Sequence, residues 1–470
     1  MKDVHRDRHA LGELARETGV AVRSDPAGLD AASRDFGGMI LGESVGIVQP
    51  RDADEVQKIL HFVKERGLRC AIRGRGYSQS GQSLARRGIT LETCRLDTMG
   101  IVDEEKRRLH VGAGATLRQV ITKTLFHRLV PPVLPLNLDM TVGGLLSAGG
   151  IGVSSHRFGP AINSIESLEV VSGEGERYLC GAQREPELFE AALSGLGRCA
   201  VITGATLALR RAVPRVATAS LLYDNIQAWF QDYQKLAADK AVNYLEGFCW
   251  AGAKGMRATS AGSRPFAHWL YGIQVGMEHN GSAAPETLGA ALAGLSCRRE
   301  LQREDLSLES FHLRYGPRFQ SMVESGAWQQ CHPWLEAFLP LHAVVELLPE
   351  ILDRLPLELG DGHRAILVSR KGAPQFFAMP EGDASLLFAV LPTGVTQTQS
   401  HIFARLREIH RMLLEAGAKR YLSGWLGAMN DEDWARHYGD AYQRWSQLKK
   451  RYDPRGVFDS VLFSPAELSN

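Results

Sequence analysis

"IRGRGYSQSGQS", residues 72–83, sets Gly74, Gly76 and Gly81 into one short loop, with Tyr77 between the second glycine and Ser78. Glycines in succession let the main chain approach a ligand closely and turn its N–H groups inward, which is how a protein can hold a diphosphate without using charged side chains. The same glycines would also suit a tight strand-to-strand turn. The flanks, "LRCAIRG" and "GITLETC", read as two strands, so the loop lies between strands at a sheet edge. Ahead of it, "DEVQKILHFVKERG" (54–67) places Val56, Ile59, Leu60 and Val63 on one helical face, with an acidic start and a glycine stop.

Farther along the chain, "RRLHVGAGATLRQVITKTLFHRL" repeats the order strand, glycine turn, helix. A hairpin follows at "SIESLEVVSGEGERYLCG", then a short helix at "EPELFEAAL" and a strand at "VITGATLALR". After about Pro214 the texture changes to longer amphipathic segments such as "YDNIQAWFQDYQKLAAD", and this second domain extends to about Arg420. Residues 356–375 read as loop-rich, and "DEDWARHYGDAYQRWSQLKKRYDP" as one amphipathic helix stopped at Asp453-Pro454. A second glycine-rich run, "TVGGLLSAGGIGVSSHRFGP" (141–160), is too rich in glycine for a core helix and too apolar for a linker. Two such loops can clamp one extended dinucleotide. Other nucleotide-binding signatures fit poorly: there is no GxxxxGK[ST], and "GAGATL" (112–117) lacks the third glycine of the Rossmann fingerprint.

Composition sets the bounds. A chain of 470 residues exceeds one ordinary core and implies two or three domains, or one domain with a large insertion. Its 44% hydrophobic and 23% charged residues are those of a soluble globular enzyme. The balance of 54 basic against 53 acidic residues leaves no global field for nucleic acid or an anionic membrane, so neither is expected as a partner. The first residues, "MKDVHRDRHALGELARE", are too charged for a secretory signal, and no apolar run reaches the roughly 18 residues of a membrane span. A cytoplasmic location is expected. Seven scattered cysteines with no CxxC pair read as reduced thiols rather than disulfides or metal ligands, and no metal site is expected. With no GxSxG, hydrolase chemistry has no support.

At its two glycine loops the chain resembles the FAD-linked oxidase superfamily that includes vanillyl-alcohol oxidase, and most closely cytokinin dehydrogenase. The resemblance starts at "SRDFGG" (33–38) and takes in "RGRGYSQSGQS", "TVGGLLSAGGIG", "HRFGPAINSIESLEVVSGEGE" and "ELFEAALSGLGRCAVITGATLAL". It resumes at "YLEGF" (244–248), "HPWLEAFLP" (332–340) and "YL" (421–422), and ends with "DWARHYG" and "KKRYDP". It implies an α+β, two-domain FAD-binding fold of the vanillyl-alcohol oxidase (PCMH) type. A flavin domain would be built from both chain ends, residues 1–212 and 422–470, with an inserted α+β substrate domain at 213–421. By position Gly74, Arg75, Gly76, Tyr77 and Ser78 would line the diphosphate, with Gln82 nearby. Thr141, Gly143, Gly144, Ser147, Ile151 and Ile202 would complete the FAD site, and Tyr421 would approach the isoalloxazine. Ordinary readings stand beside these: Ile151 and Ile202 as core, Ser147 as a helix cap.

Two departures from that family bear on chemistry. Cytokinin dehydrogenases carry a covalently flavinylated histidine after the second glycine of the first loop, where this chain has Tyr77. Bicovalent relatives add a cysteine before the second loop, and "PLNLDMTVGG" has none. FAD is therefore expected to be noncovalent, with a lowered reduction potential; a tyrosyl link is the other possibility. The family's proton-abstracting aspartate lies five residues before the TVGG threonine, at Leu136 here. Asp139 is near in sequence, but a shift of three along an extended segment changes its direction. The SPGQ-like turn near the C-terminus is also replaced, by "VFDSVLF".

Flavin oxidation removes a hydride from a C–H beside nitrogen or oxygen, helped by a base for the N–H or O–H proton. Glu246, His332 and Tyr421 are the catalytic candidates, together with Tyr77 if its hydroxyl faces the pocket. Glu246 reads more often as a surface or salt-bridged carboxylate, His332 equally as a structural histidine, and Trp334 as pocket wall or, more often, core. The expected function is an FAD-dependent oxidation of a small organic substrate, a tailoring step in small-molecule metabolism, with electrons passing to oxygen or another acceptor. Cytokinin oxidation proper, alcohol or polyol oxidation, and flavin binding without turnover are the competing readings.

Overall fold

The strand ahead of the glycine loop, Cys70–Arg73, is the edge of a four-stranded sheet and pairs in parallel with Gly88–Glu92. Parallel neighbours cannot be joined by a tight turn, so residues 74–87 form a crossover and the hairpin-turn reading of the loop fails. This structure is a computed structural model and describes residues 2–260, 262–281, 284–359, 362–396, 400–427 and 429–463. Ser44–Val48 and Val22–Arg23 complete the first sheet. The helix Ala53–Glu65 packs on it through Val56, Ile59, Leu60 and Val63, all fully buried, and is capped by Asp52, which accepts the Glu55 N–H.

A second four-stranded sheet, wholly antiparallel, runs in the order Arg108–Gly112, Ala200–Ala208, Ile165–Ser172, Arg177–Gly181. The C-terminal segment returns to the first sheet. Cys70 N–H donates to the Val457 carbonyl at 2.8 Å, Asp459 N–H to the Cys70 carbonyl at 2.9 Å and Val461 N–H to the Leu84 carbonyl at 3.0 Å.

The third sheet starts just after Pro214 and has eight antiparallel strands. Its order is Arg299–Ser307, Arg215–Tyr223, Gly262–His279, Tyr244–Thr259, His363–Ser369, Ala384–Val390, Leu335–Pro340 and Lys419–Arg420. Strand alternation sorts its side chains between two faces. Leu335, Ala337, Leu339, Ala365, Leu367, Leu386, Phe388 and Val390 enter one core with residues of the helices Ile226–Ala238, Val344–Arg354 and Ser400–Glu415. The intervening Trp334, Glu336, Arg364, Ile366, Leu387 and Ala389 face a cavity whose other side is the two glycine loops.

Three sequence expectations are corrected here. The last amphipathic segment is two helices, Asp431–Tyr438 and Ala441–Tyr452, broken where Gly439 takes φ 55°. The loop-rich reading of 356–375 misses His363–Ser369, a central strand whose two-sided burial hides any simple alternation. The second glycine run does hold a short core helix, Val142–Ala148, because tertiary packing uses the glycine: a Cβ on Gly143 would sit 2.8 Å from the Ala113 Cβ. None of the seven cysteines is in a disulfide. Among the described residues no helix is long and apolar enough to cross a membrane, and no group of three metal-ligating side chains occurs.

Candidate cofactor and substrate site

The two glycine runs meet at Gly74 and Thr141. A Cβ on Gly74 would lie 2.5 Å from Thr141 Oγ1, so only glycine allows this approach. Thr141 caps the helix Val142–Ala148, its Oγ1 accepting the Gly144 N–H at 3.2 Å, while Gly143 N–H donates to the Ala113 carbonyl at 2.7 Å. The amides of this helix start are therefore occupied. The first loop differs. Among the described residues, the N–H groups of Arg75, Gly76, Tyr77, Ser78 and Gln79 donate to no protein acceptor. Gly76 has φ 73°, the left-handed turn that swings these amides round.

Gln79 adds a signal that the sequence pattern does not carry. It lines the cavity and is 1% exposed, yet neither Nε2 nor Oε1 has a hydrogen-bond partner. Buried amides are rarely left so, and this one fits a polar ligand group. Gln82, by contrast, is fully used as a clip: Nε2 donates to the Leu422 carbonyl at 2.8 Å and Oε1 accepts the Ser80 N–H at 2.7 Å. Ser80 ties the same segments, its Oγ accepting the Leu426 N–H at 2.7 Å. Asp35 braces the loop from behind, accepting from Gly81 N–H at 2.7 Å and Gly38 N–H at 3.0 Å, and burial raises its pKa to about 6.

Gly74, Arg75, Gly76, Tyr77, Ser78, Gln82, Thr141, Gly143, Gly144, Ser147, Ile151 and Ile202 all line one cavity. Ser147 is within the helix rather than at its start, donating from Oγ to the Gly143 carbonyl at 2.8 Å. Leu134, Leu136, Leu145, Ile151 and Ile202 make the inner lining apolar. Free amides and an unpaired Gln79 at one end, with apolar walls beyond, fit the diphosphate and flat ring system of FAD. Tyr77 lies edge-on to Phe36 and Trp328, with ring centroids 6.1 and 5.9 Å away. Burial raises its phenol pKa, opposed by a hydrogen bond with Asn137.

The catalytic candidates separate. Glu246 and Tyr421 line the cavity; His332 does not. The His332 ring stacks behind Phe36 at 4.1 Å and 2°, with Nε2 3.3 Å from the Trp328 carbonyl, and burial lowers its basicity. His332 is corrected to a support for the aromatic wall. Glu246 reaches the cavity already engaged: it accepts from Arg364 Nη1 and from the Tyr315 hydroxyl, and Arg314 Nη2 is 3.5 Å away. Burial and the Glu246 carboxylate raise the Tyr315 pKa. Tyr421 accepts the Gly150 N–H on its hydroxyl at 3.1 Å, and burial keeps that phenol protonated. Asp139 is outside the cavity lining, paired with Arg118 at 2.7 and 3.1 Å. Leu136 puts an apolar side chain into the cavity at the resemblance's aspartate position.

One further carboxyl was missed. Glu336, the fifth residue of "HPWLEAFLP", lines the cavity and accepts from Ser423 Oγ at 3.1 Å. Burial raises its pKa to about 7, opposed by Ser423 and by Arg420. Its signal was positional: strand alternation from the pocket residue Trp334 puts 336 on the same face.

Comparison with known proteins agrees with this geometry. A family model described as "FAD binding domain" matches residues 44–181. Another, described as "Cytokinin dehydrogenase 1, FAD and cytokinin binding", matches residues 214–460, more than half of the chain. An uncharacterised oxidoreductase of the fasciation locus of Rhodococcoides fascians is 28% identical, covering 92% of this chain and 96% of its own. Cytokinin dehydrogenase 8 of Oryza sativa is 28% identical over 91% of this chain and 89% of its own, and cytokinin dehydrogenase 2 of Arabidopsis thaliana 26% over 97% and 94%.

Proposed function

Because the chain belongs to the FAD-binding oxidoreductase family of the cytokinin dehydrogenases, we propose that it oxidises a small organic molecule at a C–H beside nitrogen or oxygen. The observation that carries this reading is the single cavity between the loop of free amides at Arg75–Gln79 and the mixed polar and apolar face of the eight-stranded sheet. Bound FAD supplies the two-electron acceptor, which oxygen or another oxidant then reoxidises. The first loop and Gln79 hold the diphosphate. Gln82 and Ser80 fix the segment 422–426 against that loop, and Tyr421, anchored on Gly150, presents a protonated hydroxyl to the cavity.

We read residues 1–212 with 422–470 as the flavin domain and 213–421 as the substrate domain; the hydrogen bonds of Val457, Asp459 and Val461 to the first domain support this division. FAD is held without a covalent link, a reading supported by Tyr77 and its protonated phenol. Acid precipitation should release yellow flavin into the supernatant, and colour retained in the pellet would overturn it. A cytoplasmic location agrees with seven thiols and no disulfide.

The substrate is an amine, or an alcohol, in a tailoring oxidation. Leu136 in the cavity speaks against cytokinin cleavage proper. Steady-state turnover of an amine, alcohol and cytokinin panel separates these: polyols alone would end the amine version, and a cytokinin as best substrate would restore the family reaction. Failure of any metabolite pool to bleach the flavin anaerobically would leave a binding protein without turnover.

A further inference from the structure

Removal of a hydride from a C–H beside N–H or O–H needs a site for the departing proton, and the cavity lacks the aspartate that the family resemblance places at Leu136. Most of the titratable side chains that remain in the cavity are unsuited to accept it. Glu246 is held by Arg364, Arg314 and the Tyr315 hydroxyl, so taking a proton would break a buried ion pair and leave Arg364 unmatched. His312 is buried beside Arg314 and Arg210, and its pKa falls to about 3, too weak a base at neutral pH. Tyr77, Tyr315 and Tyr421 are phenols whose pKa values burial raises. Arg75, Arg314 and Arg364 are cations.

Glu336 differs in each respect. Among the described residues it forms no ion pair: Ser423 Oγ donates to Oε2, and Arg420 donates from Nε to the main-chain carbonyl of Glu336 at 2.9 Å. Its position is set by a rigid sheet. Glu336 and Arg364 are both register partners of Ala389, one from each side, so the two residues stand on the same face with their backbones two strand spacings apart, about 10 Å. Only the methyl group of Ala389 fills the row between them, and all three residues line the cavity.

We propose that Glu336 is the catalytic residue that takes the substrate's N–H or O–H proton, with the reacting end of an amine or alcohol seated over Ala389 between Glu336 and the Arg364–Glu246 pair. This rests on the oxidoreductase reading above. In the step, the substrate C–H leaves as hydride with both bonding electrons to the flavin ring. The N–H or O–H proton passes to the Glu336 carboxylate, and a C=N or C=O bond forms. The substrate is oxidised by two electrons, the flavin accepts them, and Glu336 releases its proton to water before the next turnover. The groups facing Glu336 are Ser423, Tyr421 and Arg420 from the adjoining segment, and Arg364 beyond Ala389; none is an anion. Its raised pKa, about 7, leaves a carboxylate basic enough to accept a proton near neutral pH.

Glu336→Gln and Glu336→Asp in the FAD-loaded enzyme test this on two readouts. On the best amine or alcohol of the panel, kcat should fall about 10²-fold or more in Glu336→Gln, with KM little changed and partial recovery in Glu336→Asp. The wild-type rise in kcat/KM through about pH 7 should vanish in Glu336→Gln. Independently of turnover, a pH-difference infrared spectrum of the wild type should show protonated carboxyl intensity lost near pH 7 that is reduced in Glu336→Gln, where Asp35, titrating near 6, remains. Activity within threefold of wild type with the pH rise intact, or a carboxyl band of undiminished intensity in Glu336→Gln, overturns the proposal. A wild type that oxidises nothing on the panel, yet shows the Glu336 band, removes the oxidoreductase reading and with it a proton-accepting role, leaving Glu336 a titrating wall group.

Discussion

The two sides of the cavity are built on opposite principles. The glycine-loop side offers neutral donors: main-chain amides of residues 75–79 and the amide of Gln79, with Gly76 in a conformation that other residues adopt only with strain. The sheet side offers charged side chains, Glu246, Arg364 and Glu336, carried on extended strands where any residue fits. A loop of free amides suits a constant partner, and the proposed cofactor diphosphate is one that geometry alone can recognise. A sheet face can exchange side chains without changing its backbone, and the departure from the family's acid–base arrangement has its replacement there. On the proposed function, cofactor and substrate recognition are separable, and mutations should divide accordingly.

The sharpest break of that comparison comes from Glu246→Ala. It leaves the buried Arg364 guanidinium without its carboxylate and should destabilise the fold by about 3–5 kcal/mol in denaturant unfolding. An effect below about 1 kcal/mol would show that the pair is solvated. Next is Gly76→Ala on the other wall, with φ 73° and a Cβ position that meets the Arg73 guanidinium. The left-handed backbone alone costs about 1–2 kcal/mol, and the ratio of flavin to protein absorbance after gel filtration should drop about tenfold. Full flavin retention would mean the loop amides do not hold the cofactor.

A third prediction concerns pH. Because the folded pKa of Glu336 lies above its unfolded value of 4.5, the folded state binds more protons between pH 4.5 and about 7. Its contribution to stability is full below pH 4.5 and is lost as pH rises through about 7, so Glu336→Gln should gain stability relative to wild type at about pH 8 compared with about pH 5. Tyr421→Phe follows, removing the acceptor of the Gly150 N–H for a loss of about 0.5–1.5 kcal/mol without loss of flavin. The smallest effect belongs to Asp139→Asn, whose half-exposed pair with Arg118 is worth about 0–1 kcal/mol; unchanged turnover would confirm that Asp139 is no substitute for the missing aspartate.

Much of the loop side was legible. Gly74, Gly76 and Thr141 are needed by backbone geometry within short stretches, and such requirements are written in consecutive residues. Gln79 escaped because its significance is a missing partner, which no sequence pattern carries. On the sheet side the reading named Glu246 and passed over Glu336, although both line the cavity. Glu246 and Glu336 are each one acidic residue in an apolar strand, and nothing local tells them apart. His332 was misplaced for the same reason: its ring faces Phe36, nearly 300 residues earlier, rather than the ligand space.

By itself, then, the sequence determined the two loops, the α+β character and the places where Tyr77 and Leu136 depart from the family's covalent histidine and aspartate. Only the tertiary structure decided which acid is free. Arg364 and Tyr315 reach Glu246 from 118 and 69 residues away, and Ala389 joins Arg364 to Glu336 across three strands. Charge pairing falls off within a few ångströms in space and is blind to separation along the chain, so the availability of a carboxylate is a property of the fold.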